Sequence, residues 1–133
     1  MSNFAELLKM TYQQPDAQRL LFLFAATEAT VKAKHQDGTP LQKNGTIEPT
    51  MCVDKLPSAL TSFQDLTNEA DNISKAWDLV FVAGLSGQGD KAPTEEEAEP
   101  YLNKMASDIK TGQDLSQYVV FDRNENPIII HAS

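Results

Sequence analysis

The stretch most suggestive of chemistry is glycine-rich: residues 84–91, GLSGQGDK, between an apolar run and a predicted helix. Loops in that position often bind phosphate, because backbone N–H groups and a helix N-terminus attract anions. The spacing departs from the nucleotide-binding patterns, since Asp90 separates Gly89 from Lys91 and no Ser or Thr follows the lysine. The next helix also opens with three glutamates at 95–97, which repel anions. These features favour a flexible connecting loop over a phosphate site.

Nucleophilic catalysis has little support in the residue pattern. Ser86 lacks the complete Gly-x-Ser-x-Gly sequence of a nucleophile elbow. The two histidines, His35 and His131, lie in a polar stretch and near the C-terminus. The one cysteine, Cys52, sits between apolar neighbours in a predicted strand, which indicates a buried, unreactive thiol. We therefore predict no catalytic residue and no cofactor, and favour a protein that is not an enzyme.

Aspartates near the predicted strand ends offer a second possibility. Carboxylates gathered at one sheet edge can bind Mg²⁺ or Ca²⁺, but aspartates also favour turns, and Asp54, Asp90 and Asp122 have no short fixed spacing. A metal site is therefore not predicted. The alternative hypothesis is a small-molecule or nucleotide-binding protein, with enzymatic activity left open, whose site lies near the loop at 84–91. Its candidate ligand-binding residues are Asp54, Gly84, Ser86, Gly87, Gly89, Lys91 and Asp122.

The strands that would position these residues are indicated by short apolar runs. Residues 20–26 and 79–83 are apolar throughout, which is typical of strands covered on both faces. A shorter strand is predicted at 50–53. Residues 118–121 and 128–130 flank the turn sequence DRNENP and predict a C-terminal β-hairpin.

Three helices are predicted, over about 4–13, 57–73 and 95–111. Thr94 followed by Glu97 is a capping box, and Gly112 is a stop signal. The resulting order is α-β-β-α-β-α-β-β, which predicts an α+β fold with a mixed sheet of about five strands and three helices. Each strand–helix–strand unit is expected to form a parallel crossover.

Length and charge limit the classes of function. The 133 residues predict one domain over 1–133, with a flexible loop at about 32–48 within it. The formal net charge is −8, and only two of the eleven basic residues are arginines, Arg19 and Arg123, which argues against binding nucleic acid or an anionic membrane. A single cysteine and the absence of a basic, apolar leader predict a cytoplasmic protein.

Five segments carry a family resemblance: QPDAQRLLF at 14–22, MCVDK at 51–55, WDLVFVA at 77–83, SG at 86–87 and FDR at 121–123. Together they resemble a family of short bacterial proteins often labelled "ribonucleotide reductase subunit alpha". The resemblance spans nearly the whole chain and rests on strand cores with their flanking turns. It implies no active-site residue. The thiyl-radical chemistry in the family label needs several cysteines in a large barrel, and this chain has one cysteine.

The leading hypothesis from the sequence is a non-enzymatic interaction or regulatory protein with an unidentified protein partner. It rests on the missing catalytic constellation and on the apolar C-terminal strand at 128–130, which could form a sheet edge. Edge strands pair readily with other chains, so a homodimer through this strand is also expected.

Overall fold

A computed structural model describes residues 3–27, 47–112 and 115–128. Its strands are β1 (Gln18–Thr27), β2 (Ile47–Lys55), β3 (Leu79–Ser86) and β4 (Val119–Asp122). They form one sheet in the order β2-β1-β3-β4, and every neighbouring pair is antiparallel. The α+β class is confirmed, whereas the mixed, five-stranded sheet is wrong for the described residues.

The expected parallel crossovers do not form between sheet neighbours. β2 and β3 run in the same direction, but β1 lies between them. β3 and β4 are neighbours and antiparallel, because the long helix and a 3-10 turn (Leu115–Gln117) return the chain to the end of the sheet where β3 finished. A helix between two strands therefore did not determine their relative direction.

Three helices flank the sheet: α1 (Phe4–Tyr12), α2 (Phe63–Ile73) and α3 (Glu95–Thr111). The predicted start of the second helix at residue 57 is wrong. Pro57–Ala59 forms a separate 3-10 turn, and Ser62 caps α2 by accepting a hydrogen bond from the Asp65 backbone N–H. The third helix is confirmed in detail, with the capping box at Thr94 and a left-handed Gly112 after its last turn.

β1 and the first half of β3, residues 79–82, are buried on both faces, as their apolar sequences predicted. Gly84 and Ser86 in the second half of β3 are exposed. In β1, Leu20, Phe22 and Phe24 pack against α1 and α2, whereas alternate residues pack beneath α3. Complete burial of one such side chain stabilises the fold by about 1.5–3 kcal/mol. The two helix layers thus enclose two apolar clusters, one on each side of the sheet.

Two predicted segments, the loop at 32–48 and the C-terminal hairpin, are only partly within the described residues. Ile47 and Glu48, assigned to the predicted loop at 32–48, pair with β1, and the rest of that loop lies outside the described residues. In the C-terminal hairpin, Pro127 makes one bridge to Phe121, and the Ile128 N–H donates to the Val120 carbonyl at 2.9 Å. Residues 129–130 are also outside the described part.

Candidate functional site

The glycine-rich segment is a strand end followed by a tight turn. β3 continues to Ser86, and Gln88 and Lys91 then exchange two backbone hydrogen bonds of 2.9 Å around Gly89 and Asp90. Gly89 has a φ of +58°, which suits the first position of a two-residue hairpin turn. The predicted flexible loop is therefore a hydrogen-bonded turn.

This turn is fastened to the chain entering β1. The Gly89 N–H donates to the Asp16 carboxylate at 2.9 Å, and the Ala17 N–H donates to the Gly89 carbonyl at 2.7 Å. The Gly87 N–H in turn donates to the Ala17 carbonyl at 2.8 Å. Hydrogen bonds across so many residues of sequence give the turn a defined position.

Two of the predicted ligand-binding glycines are explained by close packing. A Cβ on Gly87 would lie 1.9 Å from the Lys91 carbonyl oxygen, so no larger residue fits there without movement of the turn. A Cβ on Gly84 would lie 3.0 Å from Oε1 of Gln18. The Gln18 amide also donates to the Ser86 hydroxyl at 2.7 Å. Gly84, Ser86 and Gly87 therefore pack against Gln18 and the turn, and none of the three lines the cleft described below.

An arginine–aspartate pair connects three segments beside this turn. One terminal nitrogen of Arg19 lies 2.6 Å from the Asp54 carboxylate, and Nε of Arg19 donates to the Pro93 carbonyl at 2.6 Å. The two side chains are only 12% and 18% exposed. β1, β2 and the segment before α3 are thereby held together, and the charge of Asp54 is neutralised.

A cleft of about 620 Å³ opens at this end of the sheet. Its walls come from the end of α1, residues 14 and 16–19, residues 56–58, the Gly89–Asp90 turn and residues 92–95. The predicted candidates that meet here are Gly89 as a lining residue and Asp54 through its contact with Arg19. Lys91 is exposed and does not line the cleft.

Asp122 is not part of this arrangement. It pairs with Leu79, five residues from Gly84 along β3, which corresponds to roughly 17 Å. Its carboxylate accepts hydrogen bonds from the backbone N–H groups of Asn124 and Asn126, at 2.8 and 2.9 Å, and so stabilises the turn after β4. The structure therefore separates Asp122 from the other candidate residues.

The second arginine organises the Asp122 end of the sheet. Arg123 lies 4.1 Å above the Trp77 ring and forms two hydrogen bonds, of 2.8 and 2.9 Å, with Asp71. The hydrogen bond from Arg123 is the main cause that holds the pKa of Asp71 below its ordinary value. Trp77 also donates to Asp71 at 3.0 Å. The charges of Arg123 and Asp71 therefore neutralise each other.

The cleft has an apolar surface that sequence analysis did not identify. Five large apolar side chains are exposed in the described residues, and three of them, Met10, Tyr12 and Leu56, lie at this end of α1 and β2. Tyr12 and Leu56 line the cleft itself. The sequence did contain one signal for this site. Only two of its basic residues are arginines, and a planar guanidinium is favoured in partly buried ion pairs, so Arg19 could have been singled out as a residue that connects segments.

The structure places the one cysteine and the potential metal ligands of the described residues. Cys52 is exposed on the edge strand, so the predicted burial is wrong, although surrounding atoms still raise the pKa of its thiol by desolvation. No three His, Cys, Asp or Glu side chains within 3–27, 47–112 and 115–128 are grouped so that they could hold a metal ion. Both histidines lie outside those ranges.

In the described part of the chain, none of the helices combines the length and apolar character needed to cross a bilayer. Comparisons with protein-family models, curated proteins and solved structures give no match.

Proposed function

We propose that this protein is a non-enzymatic interaction protein that binds a protein partner in the cleft beside Arg19. The observation that carries this proposal is that two exposed apolar side chains, Tyr12 and Leu56, line one cleft. A third exposed apolar side chain, Met10, lines a smaller cleft that shares a residue of α1 with the first. Single exposed apolar residues are ordinary, but a group of them around a concave surface is typical of a binding site. Tyrosine is also enriched among residues that contribute most to binding energy.

The walls of the cleft support binding because they are held in place. The Gly89 turn is bonded to Asp16 and Ala17, and Arg19 fastens Asp54 and Pro93 to β1. A surface that is ordered before binding loses less conformational entropy on association. This part of the sheet is therefore a better docking platform than an unsupported loop.

Matched alanine variants test the proposal. The tagged protein, expressed at its native level, would be used to capture partners that are identified by mass spectrometry. We expect Tyr12→Ala with Leu56→Ala to lose a near-stoichiometric partner. The control, Tyr101→Ala with Ile73→Ala, removes comparably exposed apolar side chains that do not line the cleft and should retain it. Equal capture by both variants would contradict the proposed site.

A small-molecule ligand is the second candidate, because the cleft volume of about 620 Å³ lies within the range of ligand pockets. A metabolite library screened by thermal shift would test it. A compound that raises Tm in the wild type, and not in Tyr12→Ala, would support this candidate over a protein partner.

Homodimerisation through the C-terminal strand stays a prediction, as does membership of the family that the sequence resembles. The Ile128 N–H is already bonded to Val120, and residues 129–130 lie outside the described part. Light scattering on the full chain and on an Ile130→Lys variant would test the dimer. A dimer in the wild type that the variant abolishes would support it.

A further inference from the structure

We propose that the partner segment recognised by the cleft is a short cationic peptide that carries an apolar side chain between its lysine or arginine residues. This inference rests on the proposed function and specifies the chemistry of the partner. It follows from the distribution of charge around the apolar surface.

The charged groups that line the cleft leave an excess of carboxylates. Asp16, Asp90 and Glu95 line it, and Arg19 is the basic residue among the lining residues. The charge of Arg19 is neutralised by Asp54 at 2.6 Å. The cleft is therefore acidic even though a guanidinium forms part of its wall.

Two of these carboxylates are available to a partner. Asp90 and Glu95 are exposed, and neither forms an ion pair with any residue in the described ranges. Asp16, by contrast, is engaged by the Gly89 N–H. The cleft thus presents two unpaired negative charges on a chain whose formal net charge is −8. Such a surface steers and retains cations and repels phosphate.

The apolar residues of the cleft favour a partner that supplies an apolar side chain in addition to positive charge. Leu56, Pro57, Ala92 and Pro93 contribute to its lining. Tyr12 is 64% exposed and presents an aromatic ring to solvent, where a lysine or arginine of the partner can stack. A peptide that carries an apolar side chain between cationic ones can contact both the apolar lining and the two unpaired carboxylates.

Selection from a random twelve-residue peptide library displayed on phage, with the full chain immobilised, tests this chemistry. We expect the enriched peptides to carry lysine or arginine on both sides of an apolar residue. A representative peptide, synthesised with a fluorescent label, would then be titrated by anisotropy. Its binding should weaken with increasing salt, because the attraction is electrostatic.

Charge-neutralising variants provide the matched comparison. Asp90→Asn with Glu95→Gln should weaken the peptide about tenfold, since two favourable charge pairs are lost. The control, Glu96→Gln with Glu99→Gln, makes the same change in net charge with exposed glutamates outside the cleft and should leave the affinity unchanged. Circular dichroism and urea midpoints would establish that both variants fold.

The outcomes separate the two proposals. Enriched peptides that require Tyr12 and Leu56 but lack lysine and arginine would overturn the inference and leave the proposed function standing. Peptides that bind equally well to Tyr12→Ala with Leu56→Ala would overturn both. An empty selection, together with a spermidine-induced rise in Tm that Asp90→Asn with Glu95→Gln abolishes, would replace the peptide with a small organic amine.

Discussion

The two arginines of this chain occupy opposite ends of one sheet and have different surroundings. Arg19 is largely buried, bonds to Asp54 and Pro93, and lines a cleft together with apolar side chains and the unpaired carboxylates of Asp90 and Glu95. Arg123 is 37% exposed and is bonded to Asp71 and stacked on Trp77. The second cleft, beside Arg123, measures about 430 Å³ and is polar.

This contrast indicates that an arginine–aspartate pair alone does not mark a binding site. Both pairs connect elements that are distant in sequence, so both stabilise the fold. The Arg19 end differs because its neighbouring carboxylates, Asp90 and Glu95, form neither an ion pair nor a side-chain hydrogen bond within the described ranges. At the Arg123 end, Asp122 and Glu125 accept hydrogen bonds from backbone N–H groups. Tyr12 and Leu56 are also exposed beside the Arg19 pair. The two regions therefore differ in their exposed carboxylates and apolar side chains, and not in the presence of an arginine–aspartate pair.

The largest effect is expected from breaking the buried pair. Arg19→Met should lower the free energy of unfolding by about 3 kcal/mol, because it leaves the Asp54 carboxylate partly buried without its counter-ion. Urea denaturation of the full chain measures this loss. Asp54→Asn and the double variant complete a thermodynamic cycle, and a coupling energy near zero would show that the pair does not form as described.

Gly87→Ala should cost about 2 kcal/mol, since the new methyl group would meet the Lys91 carbonyl oxygen and displace the turn. The same urea experiment measures it. The comparison is Gly89→Ala, where a Cβ meets no atom within 4 Å and only the positive φ is unfavourable, so about 1 kcal/mol is expected. A larger loss for Gly89→Ala than for Gly87→Ala would contradict this packing of the turn.

At the opposite end, Arg123→Met should lower the free energy of unfolding by about 1 kcal/mol. The pair with Asp71 is more exposed, and the stacking on Trp77 contributes a modest amount at such a site. Near-ultraviolet circular dichroism of the single tryptophan should change at the same time. Capture of a partner should be unaffected, and a loss of capture would move the proposed site to this end of the sheet.

The smallest effect is the pH dependence contributed by Asp71. Its pKa is lowered in the folded state, so its contribution is complete above the ordinary pKa of an unfolded aspartate and is lost as the pH falls through the lower folded value. Asp71→Asn should therefore be less stable than the wild type by about 1 kcal/mol or less at pH 7. Urea titrations at pH 7 and pH 3 should show this difference narrowing, and a difference that widens towards pH 3 would contradict the assignment.

Several segments on which the family resemblance rests contact one another in the folded chain. Arg19 bonds to Asp54, and Arg123 contacts Trp77. The Gln18 side chain bonds to Ser86. These contacts agree with the interpretation of the segments as strand cores with flanking turns.

The sequence alone determined the features that depend on neighbours along the chain. The capping box at Thr94, the stop at Gly112 and the burial of β1 and of residues 79–82 on both faces were all predictable, because helix ends and apolar runs are local properties. The exposed position of Cys52 could not be predicted, since it depends on β2 lying at the sheet edge.

Only the tertiary structure decided which distant residues meet. Strand order and direction bring Arg19 next to Asp54 and make β3 and β4 antiparallel. They also place Asp122 at the opposite end of the sheet from Arg19. Local sequence does not encode strand order, because the same helices can connect strands in either direction when the connections are long enough. The candidate cleft exists because the end of α1, the turn after β3 and the start of α3 converge there, and no single segment of the sequence contains that information.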